Sequence, residues 1–598
     1  MREFVVPAPY TVEKEASLAD TVFRFAADCP THVPFRRLVG GRWVDVSAAE
    51  FAAQVTAVAK GLIAGGVEHG DRIAIMSATR YEWVLLDYAI WTAGGVTVAI
   101  YETSSADQAR WILQDSGTKI LVVEHERNAE AVAAVVAELD NVGELLQIDG
   151  TPGAIDLLVE RGKDITDEQV HQHRAQVTSE DPATLVYTSG TTGRPKGAQL
   201  THFNLLAESA SVKDALGDMM VEGKSTLLFL PMAHIFARVI SVASFETKIL
   251  VGHFADIPHL VENFAVFKPT FVLSVPRVFE KVFNTAKQKA EDGGKGKIFG
   301  AAESTAIEYS ESLDKGGPSL LLKLKHLLFD KLVYGKLRAA LGGQCEAAVS
   351  GGGPLGARLG HFYRGVGVTI YEGYGLTETT AAVTVNRPGS QRVGTVGQPV
   401  PGNGVRIADD GEVLLRGDVV FSGYWHNEAA TEDAIRDGWF HTGDLGSLDN
   451  EGFLSITGRK KEIIVTAGGK NVVPSGLEDT LRAHALISQA LVVGDAKPFI
   501  GALITLDPEA VPGWMERNGK PADLPIEKLV KDADLIAEID AAVKQANQAV
   551  SKAEAIKKFS VLTVDFTVET GELTPTLKLK RKVIHESFAD EIEAIYSK

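Results

Sequence analysis

The sequence predicts an α/β protein with one large body and at least one smaller one. Length requires the division, because 598 residues exceed what a single hydrophobic core organises. Periodicity gives the class: from Arg72 onward, short runs rich in β-branched residues alternate with helical ones. After about Gly402 the pattern changes to short strands and turns.

In chain order, residues 73–76 form a strand, 81–93 a helix, and 96–100 and 120–123 two more strands. Residues 226–230, 270–275 and 366–371 read as buried strands, each ending in a loop rich in Gly, Pro or polar residues. Open α/β sheets place ligands at such strand ends. Short strands at 412–416 and 453–457 fall in a β-rich subdomain over about 402–458. A boundary at Gly458-Arg459-Lys460-Lys461 divides the chain into 1–459 and 460–598. Beyond it, Ser475 and Glu478 stand at capping-box spacing and predict a helix start. Strands at 490–493 and 500–506 and a helix over 527–551 complete a compact α+β tail.

Composition narrows the function. Apolar content of 45% with 23% charged residues is that of an ordinary globular protein. A net charge of −18 opposes general binding to nucleic acid or an anionic membrane, so a polyanionic ligand must meet a local site. Cys29 and Cys345 alone cannot build a disulfide framework or a Cys-rich metal motif, which points to a reducing cytoplasm. The start lacks a signal region, and no apolar run reaches the length of a membrane span.

The most informative stretch is Tyr187-Thr188-Ser189-Gly190-Thr191-Thr192-Gly193-Arg194-Pro195-Lys196-Gly197, entered from the apolar run Thr184-Leu185-Val186. Glycines let backbone N–H groups approach an anion, hydroxyls add donors, and Lys196 adds a point charge, so the loop suits a polyphosphate. It is not a Walker loop, because Lys196 precedes Gly197 where that pattern needs Ser or Thr after the lysine.

Four more segments accompany it: Ser350-Gly351-Gly352-Gly353-Pro354-Leu355; Tyr371-Glu372-Gly373-Tyr374-Gly375-Leu376-Thr377-Glu378-Thr379; Asp437-Gly438-Trp439-Phe440-His441-Thr442-Gly443-Asp444; and Gly458-Arg459-Lys460-Lys461-Glu462. Together, in this order and across nearly the whole chain, they resemble the adenylate-forming superfamily, and within it the bacterial long-chain fatty-acid CoA ligases. The resemblance implies a large multi-sheet N-terminal domain followed by a small mobile α+β domain. It also implies activation of a fatty acid by ATP to acyl-AMP and transfer of the acyl group to CoA, with Mg²⁺ as companion ion.

Carried over by motif, Thr188, Ser189, Gly190, Thr191, Thr192, Gly193 and Lys196 would hold the β- and γ-phosphates, and Glu378 with Thr188 would hold Mg²⁺. Tyr374 would stack on adenine beside the backbone of Gly351, Gly352 and Gly353, within a frame that includes Gly375 and Thr377. Asp444 would accept from the ribose hydroxyls, and Arg459 would reach ribose or phosphate. Lys461 matches the hinge between the domains. Leu573-Thr574-Pro575-Thr576-Leu577-Lys578 resembles the segment bearing the catalytic lysine, which selects Lys578, with Lys580 second. His234, in Leu230-Pro231-Met232-Ala233-His234, falls beside the acyl pocket as a wall or gate, not a base. Gly468 and Gly469 match the turn that a domain rotation would bring to CoA.

The long-chain assignment rests on Leu273-Ser274-Val275-Pro276-Arg277-Val278-Phe279-Glu280-Lys281, the insert over 281–343 and the form of the lysine segment. Within the insert, Leu321, Leu324, Leu328 and Leu332 form one helical stripe, flanked by Lys325 and Lys336 and with Lys323 opposite. A packing face with solvated lysines is the ordinary reading of such a stripe; rest on a bilayer is the alternative. Three other functions compete: a fatty-acyl-AMP ligase serving a carrier protein, a ligase for a shorter or aromatic acid, and a degenerate nucleotide sensor. The first is disfavoured because no insertion separates Asp444 from Gly469, and the last because Lys196, Glu378, Asp444, Arg459 and Lys578 are intact.

Overall fold

The computed structural model describes residues 2–188, 194–574 and 577–597. Two large sheets form the N-terminal body. The first is seven-stranded, in the order Gly423–Tyr424, Lys196–Thr201, Pro182–Thr188, Val96–Ile100, Arg72–Met76, Ile120–Val123, Glu144–Gln147. Its centre is parallel, and Val96–Ile100 and Ile120–Val123 are buried along their whole length, as expected for strands covered on both faces. The second is nine-stranded, with Phe271–Ser274, Ala347–Ser350 and Thr369–Tyr374 parallel and adjacent near its middle. Helices His202–Leu216 and Ile235–Glu246 contribute to the main core, to which strands of both sheets also contribute.

A six-stranded sheet follows, containing Asn403–Ile407, Glu412–Gly417, Trp439–Leu448 and Leu454–Arg459. The N-terminal strand Glu3–Val5 pairs antiparallel with Asn403–Ile407 and completes its edge. Beyond Glu462, Ile487–Val493, Ile500–Leu506 and Ile556–Val561 make a three-stranded sheet over its own hydrophobic clusters, which include Trp514, Leu535, Phe566 and Ile584.

Four local expectations need correction. The strand placed at 366–371 runs Thr369–Tyr374, because the preceding helix Ala357–Val366 continues to Val366 and stops at Gly367, whose φ of 94° is a left-handed cap. Ser475 is the first residue of the helix Ser475–Arg482 and makes no capping bond. Glu478 instead accepts from the Val492 N–H at 2.7 Å and pairs with Arg581. The helix expected over 527–551 is broken into Ile526–Leu529 and Ala533–Ala546, the second capped by the Asp532 carboxylate. The leucine stripe of the insert is not a packing face: Leu321, Leu324, Leu328 and Leu332 are exposed. No helix among the described residues is long and apolar enough to cross a membrane.

Candidate active site

Strand ends and loops from both large sheets converge on one cleft with the third sheet. Thr188 ends one strand and Lys196 begins the next, and the two are register partners across the hairpin. Ser189, Gly190, Thr191, Thr192 and Gly193, which join them, lie outside the described residues. The Lys196 ammonium sits 4.9 Å from the centre of the Tyr424 ring, and the Tyr424 hydroxyl donates to Glu378 Oε1 at 2.7 Å. Tyr424 therefore ties the cation of the hydroxyl-rich loop to the carboxylate expected to face the metal.

On the middle sheet, Ala347–Ser350 delivers the Gly351-Gly352-Gly353 turn. A Cβ at 351 would meet the Phe236 ring at 3.0 Å, and Gly352 has a φ of 80°, so small residues with left-handed freedom are needed there. Gly375 is more constrained, since a Cβ would come within 1.5 Å of the Ala381 carbonyl oxygen. Thr377 and Glu378 occupy the one-turn segment Thr377–Thr379 that follows. Glu372, which the sequence did not single out, is buried and accepts from the Leu355 N–H at 2.9 Å, so it anchors the far end of the glycine turn. Burial raises its carboxyl to about 7.

Adjacent antiparallel strands bring Asp444 and Arg459 into register. Arg459 Nε lies 3.0 Å from Asp444 Oδ1, and the Tyr374 hydroxyl donates to Asp444 Oδ2 at 2.6 Å. Burial raises the Asp444 carboxyl above its ordinary value, and Arg459, the Tyr374 bond and Lys578 oppose that rise. The sequence placed Tyr374 and Asp444 on the same nucleotide but gave no sign that they touch.

Lys578 enters this cleft from the C-terminal body. It stands on a tight turn in which its N–H donates to Thr574 Oγ1 at 3.0 Å, its carbonyl accepts from the Thr574 N–H at 2.8 Å, and Leu577 takes a φ of 61°. Pro575 and Thr576 lie outside the described residues. Protein groups surround the ammonium, although its surface remains open to water. Burial lowers its proton affinity and Arg459 adds to the effect, while Asp444, Glu378 and Glu462 pull the other way. An incoming anion would restore the preference for the charged form. Lys580 donates its backbone N–H to the Glu572 carbonyl at 2.7 Å.

His234 precedes the helix Ile235–Glu246 and caps it, Nδ1 accepting from the Phe236 N–H at 3.1 Å. Burial, with a contribution from Lys578, lowers its imidazole to about 3. Neutral His234 with Nδ1 accepting must carry its proton on Nε2, so it is a hydrogen-bond donor. Phe236, positioned by that cap, lines an apolar cavity with Val212, Leu216, Ile240 and Val349. The open space is about 20 Å³, room for roughly one water. Glu208, also missed from sequence, lines the same cavity; one oxygen accepts from the Ala382 N–H and the other has no partner among the described residues. Burial raises its carboxyl well above the ordinary value.

Lys461 lies between two anchored neighbours. Lys460 pairs with Glu412 of the third sheet at 3.3 Å, whereas Glu462 pairs with Arg581 of the C-terminal body at 3.1 Å. Lys461 itself is exposed and pairs with no described residue. Gly468 and Gly469 form the exposed tip of the small hairpin Ile464–Val465/Asn471–Val472, with open space beyond Gly469.

A second body that carries a lysine into a cleft of carboxylate, guanidinium and glycine turns defines a two-domain enzyme acting on an anionic nucleotide. The chain belongs to the AMP-binding enzymes: residues 23–425 match the AMP-binding enzyme family and 461–598 the AMP-binding enzyme C-terminal domain. It is 59% identical to the long-chain-fatty-acid–CoA ligase FadD15 of Mycobacterium bovis, with 100% of each chain covered. The fold matches that of the anthranilate CoA ligase AuaEII in complex with anthranoyl-AMP, at a TM-score of 0.71 and 19% identity over 96% of this chain and 98% of the other. It also matches ATP-bound MatB from Rhodopseudomonas palustris, at 0.69 and 23% over 96% and 99%.

Proposed function

We propose that this chain is a long-chain fatty-acid CoA ligase working by two half-reactions. In the first, a fatty carboxylate oxygen bonds to the α-phosphorus of ATP while the bond to the β-phosphate breaks, releasing pyrophosphate and leaving acyl-AMP. In the second, the thiol sulfur of CoA bonds to the acyl carbon, AMP leaves, and the thiol proton passes to solvent. Full-length identity of 59% to FadD15 supports the substrate class. The observation that carries the chemistry is Lys578 brought by the C-terminal body to Asp444, Arg459, Glu378 and His234.

Negative charge gathers at the α-phosphate in the first transition state, and a preorganised cation in a cleft stabilises it more than water could. Lys578 supplies that cation, Lys196 and Thr188 meet the outer phosphates, and Tyr374, Asp444 and the turn at Gly351–Gly353 hold the nucleoside. The Nε2 proton of His234 is available to an oxygen of the acid.

No group of three or more His, Cys, Asp or Glu side chains able to hold a metal occurs among the described residues. Glu378 as a lone carboxylate suits an ion that arrives on the triphosphate and keeps its waters, with Thr188 as second protein ligand. Such a magnesium ion would neutralise phosphate charge.

The second half-reaction needs the hairpin tip at Gly468 and Gly469 in the cleft in place of Lys578, by rotation at Lys461. A ligase for a carrier protein is the second reading. The direct path from Asp444 along Leu454–Arg459 to Gly469, without an added element, favours CoA. The test supplies purified protein with ATP, magnesium, CoA and a panel of acids from short and aromatic to palmitate, and follows acyl-AMP and thioester. Preference for an aromatic acid, or an adenylate never passed to CoA, would replace this reading.

A further inference from the structure

The helix Leu320–Phe329 presents an unusual outer face. Leu320, Leu321, Leu324, Leu327 and Leu328 are all exposed, from 57% to 76%, and Leu332 on the following turn is 48% exposed. Rotation of about 100° per residue puts the first five on a single arc, with Leu322 and His326 opposite. That opposite side holds the helix to the protein: Leu322 is buried, His326 stacks on Tyr309 at 3.9 Å, and its Nε2 donates to the Gly365 carbonyl at 2.6 Å. The leucines are thus outward by construction, not through loose packing. A contiguous apolar face on a soluble body marks an interaction site.

Charge identifies the partner. With Leu320 and Leu327 also exposed, the face is wider than the stripe of four, so Lys323 borders one edge of the arc instead of standing opposite it, Lys325 borders the other, and Lys331 and Lys336 follow on the next turns. All four are exposed, and none makes an ion pair with a described residue. Of the nearby acids, Asp330 pairs with Arg338 and Asp314 with Arg364. On a chain of net charge −18 this rim is therefore cationic, and it surrounds a face where the exposed leucines of the described residues concentrate. Leucines that enter acyl chains between lysines that meet phosphate suit an anionic lipid surface, whereas a protein partner would need matching acids and a shaped groove.

Position agrees with use. His326 binds at Gly365, the C-terminal end of the helix Ala357–Val366, whose N-terminal end follows the glycine turn of the nucleotide cleft. Contact through the leucine face would therefore leave the cleft and the rotating body clear.

We propose that residues 320–336 are an interfacial docking element that seats this protein on an anionic bilayer. The proposal does not rest on the assigned reaction, and its test needs no turnover. Full-length protein is floated with vesicles of phosphatidylglycerol and phosphatidylcholine, and with phosphatidylcholine alone. Wild type should float with the anionic vesicles, less at high salt, and weakly with the neutral ones. Leu324→Asn/Leu328→Asn should reduce flotation at least about tenfold, since both side chains are already in water and the fold loses nothing. Lys323→Glu/Lys325→Glu should abolish the preference for anionic lipid while leaving the helix intact by circular dichroism. Wild type that stays with the soluble fraction, or variants that float like wild type, would overturn the proposal. A dimer in size-exclusion chromatography that Leu324→Asn/Leu328→Asn dissociates would overturn it too, by assigning the face to a second copy.

Discussion

Arg277 and Asp507 meet across the two bodies at 3.3 Å, and they are one of four contacts from a single stripe of the helix Pro276–Asp292. Lys281 reaches Glu509 at 2.7 Å, Gln288 Nε2 donates to the Ala510 carbonyl at 3.4 Å, and Asp292 meets Arg517 at 2.6 Å. Residues 277, 281, 288 and 292 recur at helical spacing, so one face of one helix holds the pose in which Lys578 occupies the cleft. Partly exposed pairs contribute up to about 1 kcal/mol each, enough together to favour a pose without locking it.

Reversing that charge should therefore act on one half-reaction. Arg277→Glu/Lys281→Glu is expected to slow acyl-AMP formation several-fold and to spare transfer from preformed acyl-AMP to CoA. Single-turnover measurement of each step checks this, and equal loss in both would show that the stripe matters only for folding.

Lys578→Ala should slow adenylation by about a hundred- to thousandfold, the scale of losing a preorganised charge at a transition state, with ATP binding largely kept. Lys580→Ala should remain near wild type. Pyrophosphate release and nucleotide titration separate the two, and the reverse ranking would move the catalytic role to Lys580.

At Lys461, proline would fix φ at the proposed point of rotation. Lys461→Pro is expected to retain adenylation better than thioester formation. Parallel loss of both half-reactions would contradict a hinge there.

Glu372 links stability to pH. Its folded carboxyl titrates at about 7 against an ordinary 4.5, so in that window the folded state keeps a proton that the unfolded state has lost. Its contribution falls as pH rises, by about 1.4 kcal/mol per unit inside the window, and below it the effect vanishes. Glu372→Gln keeps an acceptor for the Leu355 N–H and does not ionise. The Tm of the variant relative to wild type should rise between about pH 5 and about pH 7; an unchanged difference would mean that Glu372 is charged in the fold.

Alternation of strand and helix from Arg72 was legible because buried parallel strands are written as uninterrupted apolar runs, as at Val96–Ile100. Pairing between distant segments was not. Nothing local in Glu3–Val5 announces a partner some four hundred residues away, about the separation in the register Glu3↔Arg406. Ser475 and Glu478 misled because the spacing of a capping box says nothing of Arg581, which takes the carboxylate first. The chemistry-bearing types in the cleft were visible as motifs, and the structure brings Tyr374, Asp444, Arg459 and Lys578 together. Glu208 and Glu372 were invisible, since a buried carboxylic acid is spelled like a solvated carboxylate and only its surroundings separate them. The leucine stripe was found by period alone, and period does not say whether a face turns inward or outward.

The exchange of two hydrogen bonds between Lys578 and Thr574, one from the Lys578 N–H to the Thr574 hydroxyl and one from the Thr574 N–H to the Lys578 carbonyl, has a consequence for sequence of events. A cation on a long loop could retreat alone and admit a second substrate beside a half-finished first reaction. On the proposed rotation at Lys461, the cation would withdraw together with the C-terminal body that carries it. The proposed arrangement would be an interlock: the charge that drives the first bond and the opening that receives the thiol would not coexist, so order would follow from connectivity and need no signal from the product.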